Sequence, residues 1–203
     1  MNNTILHYCK IEKNSVILNN KLIITKNEEI SFSEFSKLLY SKIKLNYPKF
    51  FKMDNLSKLA LITSEYLLSN YYNKVEKSNN ISIILSNKSS SLITDRDFQK
   101  TIDNKDNYFP SPSLFVYTLP NISIGEICIK NNITGENIFF ITENFNPKLI
   151  NEYASTIINN HNKEIILCGW VDFDEDNFKA FMYIASINNI NGISVTDIDK
   201  LFK

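Results

Sequence analysis

Between Asp54 and Cys168 the chain alternates helix-length segments with short, β-branched apolar runs, which restricts the fold to a layered α/β arrangement. The best-marked helix is Asn55–Val75. Asp54 supplies its N-cap, and Leu56, Leu59, Ala60, Thr63, Leu67 and Asn70 follow helical spacing with Ile62 and Tyr66 beside them. Ile81–Ser86 is short and β-branched and reads as a buried strand. Ser89–Ser91 makes a polar turn, and Thr94 then caps a second short helix. Downstream, Ile138–Ile141 reads as a strand and Pro147–Asn160 as a helix. Glu164–Cys168 reads as a strand ending at Gly169-Trp170, and Lys179–Ile187 as a final strand. Thr196 caps a terminal helix, Asp197–Phe202. Upstream, Ile5–Tyr8 and Ser15–Ile24 alternate weakly, as a strand or hairpin would. Ser31 and Glu34 have capping-box spacing for a helix over 32–43.

Two segments are less regular. Pro110, Pro112 and Pro120 bracket a stretch read as extended. In Ile122–Ile129 simple alternation favours a strand, although Pro120 is also suited to a first helical turn.

Composition sets outer limits. At 203 residues and 43% hydrophobic content the chain can bury one core of ordinary size and is not disordered. Lysines and arginines equal acidic residues, so no broad attraction to nucleic acid is implied. No apolar run has the length of a membrane span, and the first residues lack a secretory-signal pattern. Cys9, Cys128 and Cys168 are odd in number and widely spaced, as expected of reduced thiols in a cytoplasmic protein. His7 and His161 have no metal-ligand spacing. Asp172, Asp174, Glu175 and Asp176 lack the full calcium-loop pattern and read as a solvated turn. With four glycines there is no phosphate-cradling loop, and Ser89–Ser91 is not set in a nucleophile elbow. No metal or cofactor is expected.

One stretch carries a family resemblance. Residues 109–113 read F-P-S-P-S, 118–121 T-L-P-N, 125–129 G-E-I-C-I and 135–137 G-E-N, followed by the strand Ile138–Ile141. This resembles the approach to the nucleophile of the β-ketoacyl-acyl-carrier-protein synthases. In that family a short strand leads into a T-A-C-type turn bearing the catalytic cysteine. Leu56–Leu68, Ile81–Ser91 and Lys163–Asp172 resemble further elements of the same half, so the resemblance covers roughly residues 50–172. It implies a helix beginning near Pro120, against the alternation. A narrower likeness, through S-P-S-L-F-V-Y-T-L-P-N-I and G-E-N-I-F-F-I, is to short ketosynthase-like proteins of bacterial aryl-polyene or flexirubin-type pigment clusters. The fold implied is half of a thiolase-like fold, a mixed β-sheet with flanking helices, over a single domain 1–203 that closes early after about residue 172.

The departures define the functional expectation. The turn reads Thr142-Glu143-Asn144, and Asn144 stands at the position of the cysteine. An amide cannot become a thiolate. The two histidines of the family's second half have no counterpart. Asn144 resembles the glutamine found at this position in chain-length factors. The resemblance therefore implies a subunit without catalysis of its own, paired with a full-length ketosynthase and shaping acyl-chain elongation in fatty-acid or polyketide and pigment biosynthesis. Ile138, Phe139, Phe140, Ile141 and Thr142 would form the partner contact, since the corresponding strand pairs across ketosynthase dimers. Tyr108, Phe109, Phe115 and Tyr117 are candidates for the acyl pocket. Lys49, Lys52 and Lys58, within a basic cluster with Lys42 and Lys44, are candidates for docking an acidic acyl carrier protein. An isolated half-fold is expected to expose much apolar surface. Two alternatives stay open: an acyltransferase or 3-oxoacyl synthase using Cys128 or Cys168, and a homodimer that binds acyl chains or carrier protein.

Overall fold

A computed structural model describes residues 7–26, 30–72, 79–161, 165–175, 177–186 and 194–203. Strands β1 (Tyr8–Glu12), β2 (Ser15–Leu18) and β3 (Lys21–Thr25) form a meander. Helices α1 (Phe32–Lys42) and α2 (Asn55–Tyr72) follow, separated by a 3-10 turn over Pro48–Lys52. Next come β4 (Ser82–Asn87), three helices α3 (Leu92–Lys100), α4 (Pro112–Val116) and α5 (Ile122–Asn131), and β5 (Asn137–Ile141). Helix α6 (Pro147–His161), the hairpin β6 (Ile165–Asp174) and β7 (Asn177–Ser186), and α7 (Val195–Phe202) complete the described chain.

The seven described strands belong to one mixed sheet in the order β3-β2-β1-β7-β6-β4-β5. β4 is parallel to β5 and β6, and the other pairings are antiparallel. The period-two alternation of strands divides the core between two faces. Ile83, Leu85, Leu167, Val171 and Met182 face the layer of α1, α2 and α5. Ile84, Ile166, Cys168, Phe181 and Tyr183 face α6 and α7. The expected α/β layering and mixed sheet are therefore present.

Most local expectations hold. The Ser31–Glu34 capping box forms in both directions. Ser57 N donates to Asp54 Oδ1 at 3.0 Å, capping α2. Ser90 sits at φ 52° in the turn after β4. Ile122–Asn131 is a helix, as the resemblance implies and against the strand-like alternation. Its Ile124 and Ile127 pack inward three residues apart, a spacing a helix satisfies and a strand does not.

Several expectations are corrected. The proline-bracketed segment is not simply extended: Pro112 occupies the start of α4, and Ser111 accepts from Leu114 N at 3.4 Å as its cap. α3 begins at Leu92 and not after Thr94, whose hydroxyl instead donates to Asp54 Oδ2 at 3.0 Å. β6 does not stop at Gly169-Trp170. It continues to Asp174 because β7 pairs with it across the whole length. Asp172 and Asp174 thus lie in a strand, Glu175 makes the turn at φ 54°, and Asp176 lies outside the described residues. Residues 5–6, 73–75, 164 and 187 of the expected elements also lie outside them.

The exposed apolar surface is also more local than expected. The outward residues of α6 include Lys148, Glu152, Thr156 and Asn159, so its solvent face is largely polar, while Ile150, Ala154, Ile157 and Ile158 seal the sheet. Exposed apolar side chains include a group on residues 108–119 and others at the sheet edges, with Phe51, Leu92, Ile129 and Tyr153 scattered elsewhere.

Candidate functional site

The parallel strands β4 and β5 carry the chain to the end of the sheet where the nucleophile-like turn lies. Thr142 N donates to Asn87 O at 2.8 Å, which holds the turn against the end of β4. Asn146 then caps α6, its Oδ1 accepting from Leu149 N at 3.1 Å. Glu143 and Asn144 are exposed between these two anchors. They line an open groove of about 440 Å³ with Asn146, Lys148, Val195 and Asp199. The groove is polar, and the side chain that Asn144 brings to it is an amide, which is not a nucleophile for acyl transfer. Thr142 Oγ1 is buried with no hydrogen-bond partner among the described residues. Behind the turn, Phe145 packs on Phe202 of α7 at 4.5 Å between ring centres.

β5 is the last strand of the sheet on this side. Ile83 N donates to Glu136 O at 2.9 Å and Thr142 N to Asn87 O at 2.8 Å. Even-numbered residues therefore turn their backbone groups to β4, and those of Asn137, Phe139 and Ile141 point out along the open edge. Ile138 and Phe140 pack toward α6, Phe139 toward the opposite layer, and all three are only partly buried. Ile141 is 53% exposed. The expected contact residues thus sit on an edge that no other described strand pairs, ending beside the Asn144 turn.

The aromatic candidates divide. Tyr108, Phe109 and Phe115 are exposed, Phe109 to 76%, and with Val116 and Leu119 they form an apolar ledge over α4. Phe115 rests on Phe98 at 5.5 Å. Tyr117 points the other way. It is buried, and its hydroxyl donates to Glu126 Oε1 at 2.9 Å. Burial, reinforced by that carboxylate, pushes its phenol well above the usual tyrosine range. Ser91 ties the ledge to the end of β4 by donating to Thr118 O at 2.6 Å. Asp172, at the end of β6, holds the same turn through Ser89 N at 2.9 Å. The sequence offered no signal for Glu126, Ser91 or Asp172 as organisers of this end, because each acts through a partner in another element.

The lysine candidates are not equivalent. Lys52 is exposed. Lys49 Nζ lies 2.7 Å from the buried Glu126 Oε1. Lys58 is half-buried beside Asp54, and burial lowers its pKa although the carboxylate partly offsets this.

No cysteine has the setting of a nucleophile. Cys9 and Cys168 are fully buried, and burial drives both thiols far up in pKa. Cys128 is partly buried, and its thiol is also raised by burial. Alkylation of the native protein by iodoacetamide is expected to be slow and confined to Cys128. Peptide mapping that finds rapid labelling of Cys168 would contradict this burial. His7 meets Tyr71 edge-on at 5.4 Å, and α6 ends at His161, whose side chain lies outside the described residues. Among the described residues no group of three His, Cys, Asp or Glu is placed to hold a metal ion. No described helix is long and apolar enough to cross a membrane.

No family model matches the chain, and no curated protein matches it. Solved structures do. A chain of "the ishigamide ketosynthase/chain length factor" aligns with a TM-score of 0.65 at 13% identity, covering 91% of this chain and 62% of that one. A chain of the ketosynthase ApeO in complex with its chain length factor ApeC from Xenorhabdus doucetiae gives 0.59 at 11% identity, covering 91% and 79%. A chain of AntDE:AntF, a type II polyketide synthase acyl-carrier protein in complex with its ketosynthase bound to the hexaketide, gives 0.53 at 12% identity, covering 92% and 63%. The chain thus has the fold of ketosynthase and chain-length-factor structures, and spans about three fifths to four fifths of their chains.

Proposed function

We propose, from a fold shared with ketosynthases and chain length factors, that this chain is a noncatalytic ketosynthase-like subunit. It pairs through β5 with a full-length ketosynthase and presents its aromatic ledge to the growing acyl chain, in cytoplasmic fatty-acid, polyketide or pigment synthesis. The observation that carries the reading is the pairing of an open strand edge with a disabled turn: β5 ends unpaired, and the residue it delivers is Asn144. Hydrogen bonding along that edge and burial of Ile141 would give the association its energy. Phe109 and Phe115 would set the space left for the chain end, and Tyr108 would border it. The exposed Lys52 is the most available of the three lysines for an acidic carrier protein, since Lys49 is bonded to Glu126 and Lys58 lies beside Asp54.

The alternative of a cysteine enzyme is disfavoured by the burial of Cys9 and Cys168 and the raised pKa of all three thiols. The test is mild affinity purification of the tagged chain from its native cells, with mass spectrometry of the eluate. A ketosynthase in near-equal amount is the expected result. A clean homodimer with good recovery would overturn the heteromeric reading in favour of self-association along β5.

A further inference from the structure

The most deeply buried carboxylate near the ledge is that of Glu126, on α5, with a side chain 3% exposed. Three donors from two separate segments converge on it. Tyr117 OH reaches Oε1 at 2.9 Å, Lys49 Nζ lies 2.7 Å from the same oxygen, and Tyr47 OH reaches Oε2 at 3.3 Å. Tyr47 and Lys49 flank the start of the 3-10 turn, whereas Tyr117 closes α4. A carboxylate taken so far from water is retained only when its oxygens are paired in this way.

The ledge needs such an anchor. Helix α4 has five residues and none of them is fully buried, so apart from half-buried Leu114 and the contact of Phe115 with Phe98 little apolar packing holds it to the body of the protein. The first buried aromatic side chain after it is Tyr117, and the hydroxyl of Tyr117 ends on Glu126. The other ties are the ring contact of Phe115 with Phe98 at 5.5 Å and single polar bonds: Ser91 OH to Thr118 O at 2.6 Å, Phe109 N to Thr101 O at 3.1 Å and Ser111 N to Thr101 Oγ1 at 3.4 Å.

We propose that Glu126 is a positioning residue, which sets the orientation of α4 and of the exposed Phe109 and Phe115 by holding Tyr117. The inference rests on the proposed function only for what the ledge touches; the clamp itself belongs to the isolated chain. Lys49 is part of it, supplying from the surface the cation that lets a buried carboxylate accept two phenols.

The test is residue-resolved amide hydrogen exchange on the isolated full chain. Tyr117→Phe keeps the ring and its packing and removes one hydroxyl. Exchange at Phe115, Tyr117 and Thr118, whose amides close the turns of the ledge, is expected to rise about tenfold, with α2 and β4 unchanged. Glu126→Ala should do the same. Glu126→Gln, which keeps an acceptor oxygen, should restore part of the protection. Unchanged exchange in both Tyr117→Phe and Glu126→Ala would overturn the proposal. So would an equal rise in α2, β4 and the ledge, which would mark Glu126 as a general stabiliser. In the assembled complex, Tyr117→Phe should keep the ketosynthase bound and alter the length of its product. If the wild-type chain recruits no ketosynthase, the functional reading fails while the exchange result still decides the clamp.

Discussion

Replacing Ile141 by aspartate should eliminate recovery of a ketosynthase with the tagged chain while leaving the chain folded. Ile141 ends β5, is 53% exposed, and has its backbone groups on the side away from β4. A charge there meets water in the free chain, and its effect on folding should stay within about 0.5 kcal/mol, as for surface changes elsewhere. In a continued sheet the same carboxylate would be buried against a neighbouring strand without a partner. That loss is of the order of 2 kcal/mol or more, roughly a thirtyfold fall in affinity. Thermal unfolding and the affinity eluate separate the two effects. An unaltered eluate from Ile141→Asp, with further charges at Ile138 and Phe140 equally silent, would remove β5 from the interface. Phe139→Asp is a poorer probe, because Phe139 packs on the core facing α2 and its loss would disturb folding as well.

Gly169→Ala should be the most damaging single-methyl change in the sheet. Gly169 lies in β6 opposite Met182 of β7. A Cβ built there would fall 2.2 Å from the carbonyl oxygen of Phe181 and 2.9 Å from Met182 Cα. Both are backbone atoms of the paired strand, so no side chain can swing aside to make room. The β6 and β7 strands would have to separate at the point where β6 also pairs with β4. A cost of about 3 kcal/mol is expected from overpacking of this kind. For a chain of this size that lowers the melting temperature by roughly 10 °C. A change of a degree or two by calorimetry would show that the β6–β7 pair opens more easily than its geometry implies. Ser86, whose hydroxyl donates to Gly169 O at 3.3 Å, would report the same movement.

What was legible in the sequence depended on the range of the interaction. Ser31 and Glu34 announced α1 because a capping box closes within three residues. Asp54 announced α2 for the same reason. Ile138–Ile141 was readable as a strand, but not as an edge, since edge position is decided by β4 and β6 pairing on the other side. Gly169 read as a strand end because glycine usually punctuates. Only the partner strand shows that it marks close backbone approach within a continuing ladder. For Ile122–Ile129 alternation alone pointed to a strand and the family resemblance to a helix, and the inward packing of Ile124 and Ile127 bears out the helix. At the candidate site, the turn bearing Asn144 could be located by counting along the chain. Tyr117 could not be told apart from Phe115, because two aromatic residues two positions apart fall on different sides of a short helix end. Its partner Glu126 is nine residues further on, in another element.

The two borders of the sheet are built differently. Beyond β1 the meander turns back twice, β2 breaks register with β3 between Val16 and Ile17, and β3 opens with Lys21. A bulge and a lysine are common ways of discouraging strand addition. The β5 border has neither within Asn137–Ile141. Among the described residues the two edges are therefore unequal in what they offer a further strand, although Leu22 and Ile23 of β3 are exposed as well. If β5 is the pairing edge, as proposed, an opposite edge with a bulge and a lysine favours a closed pair over a filament.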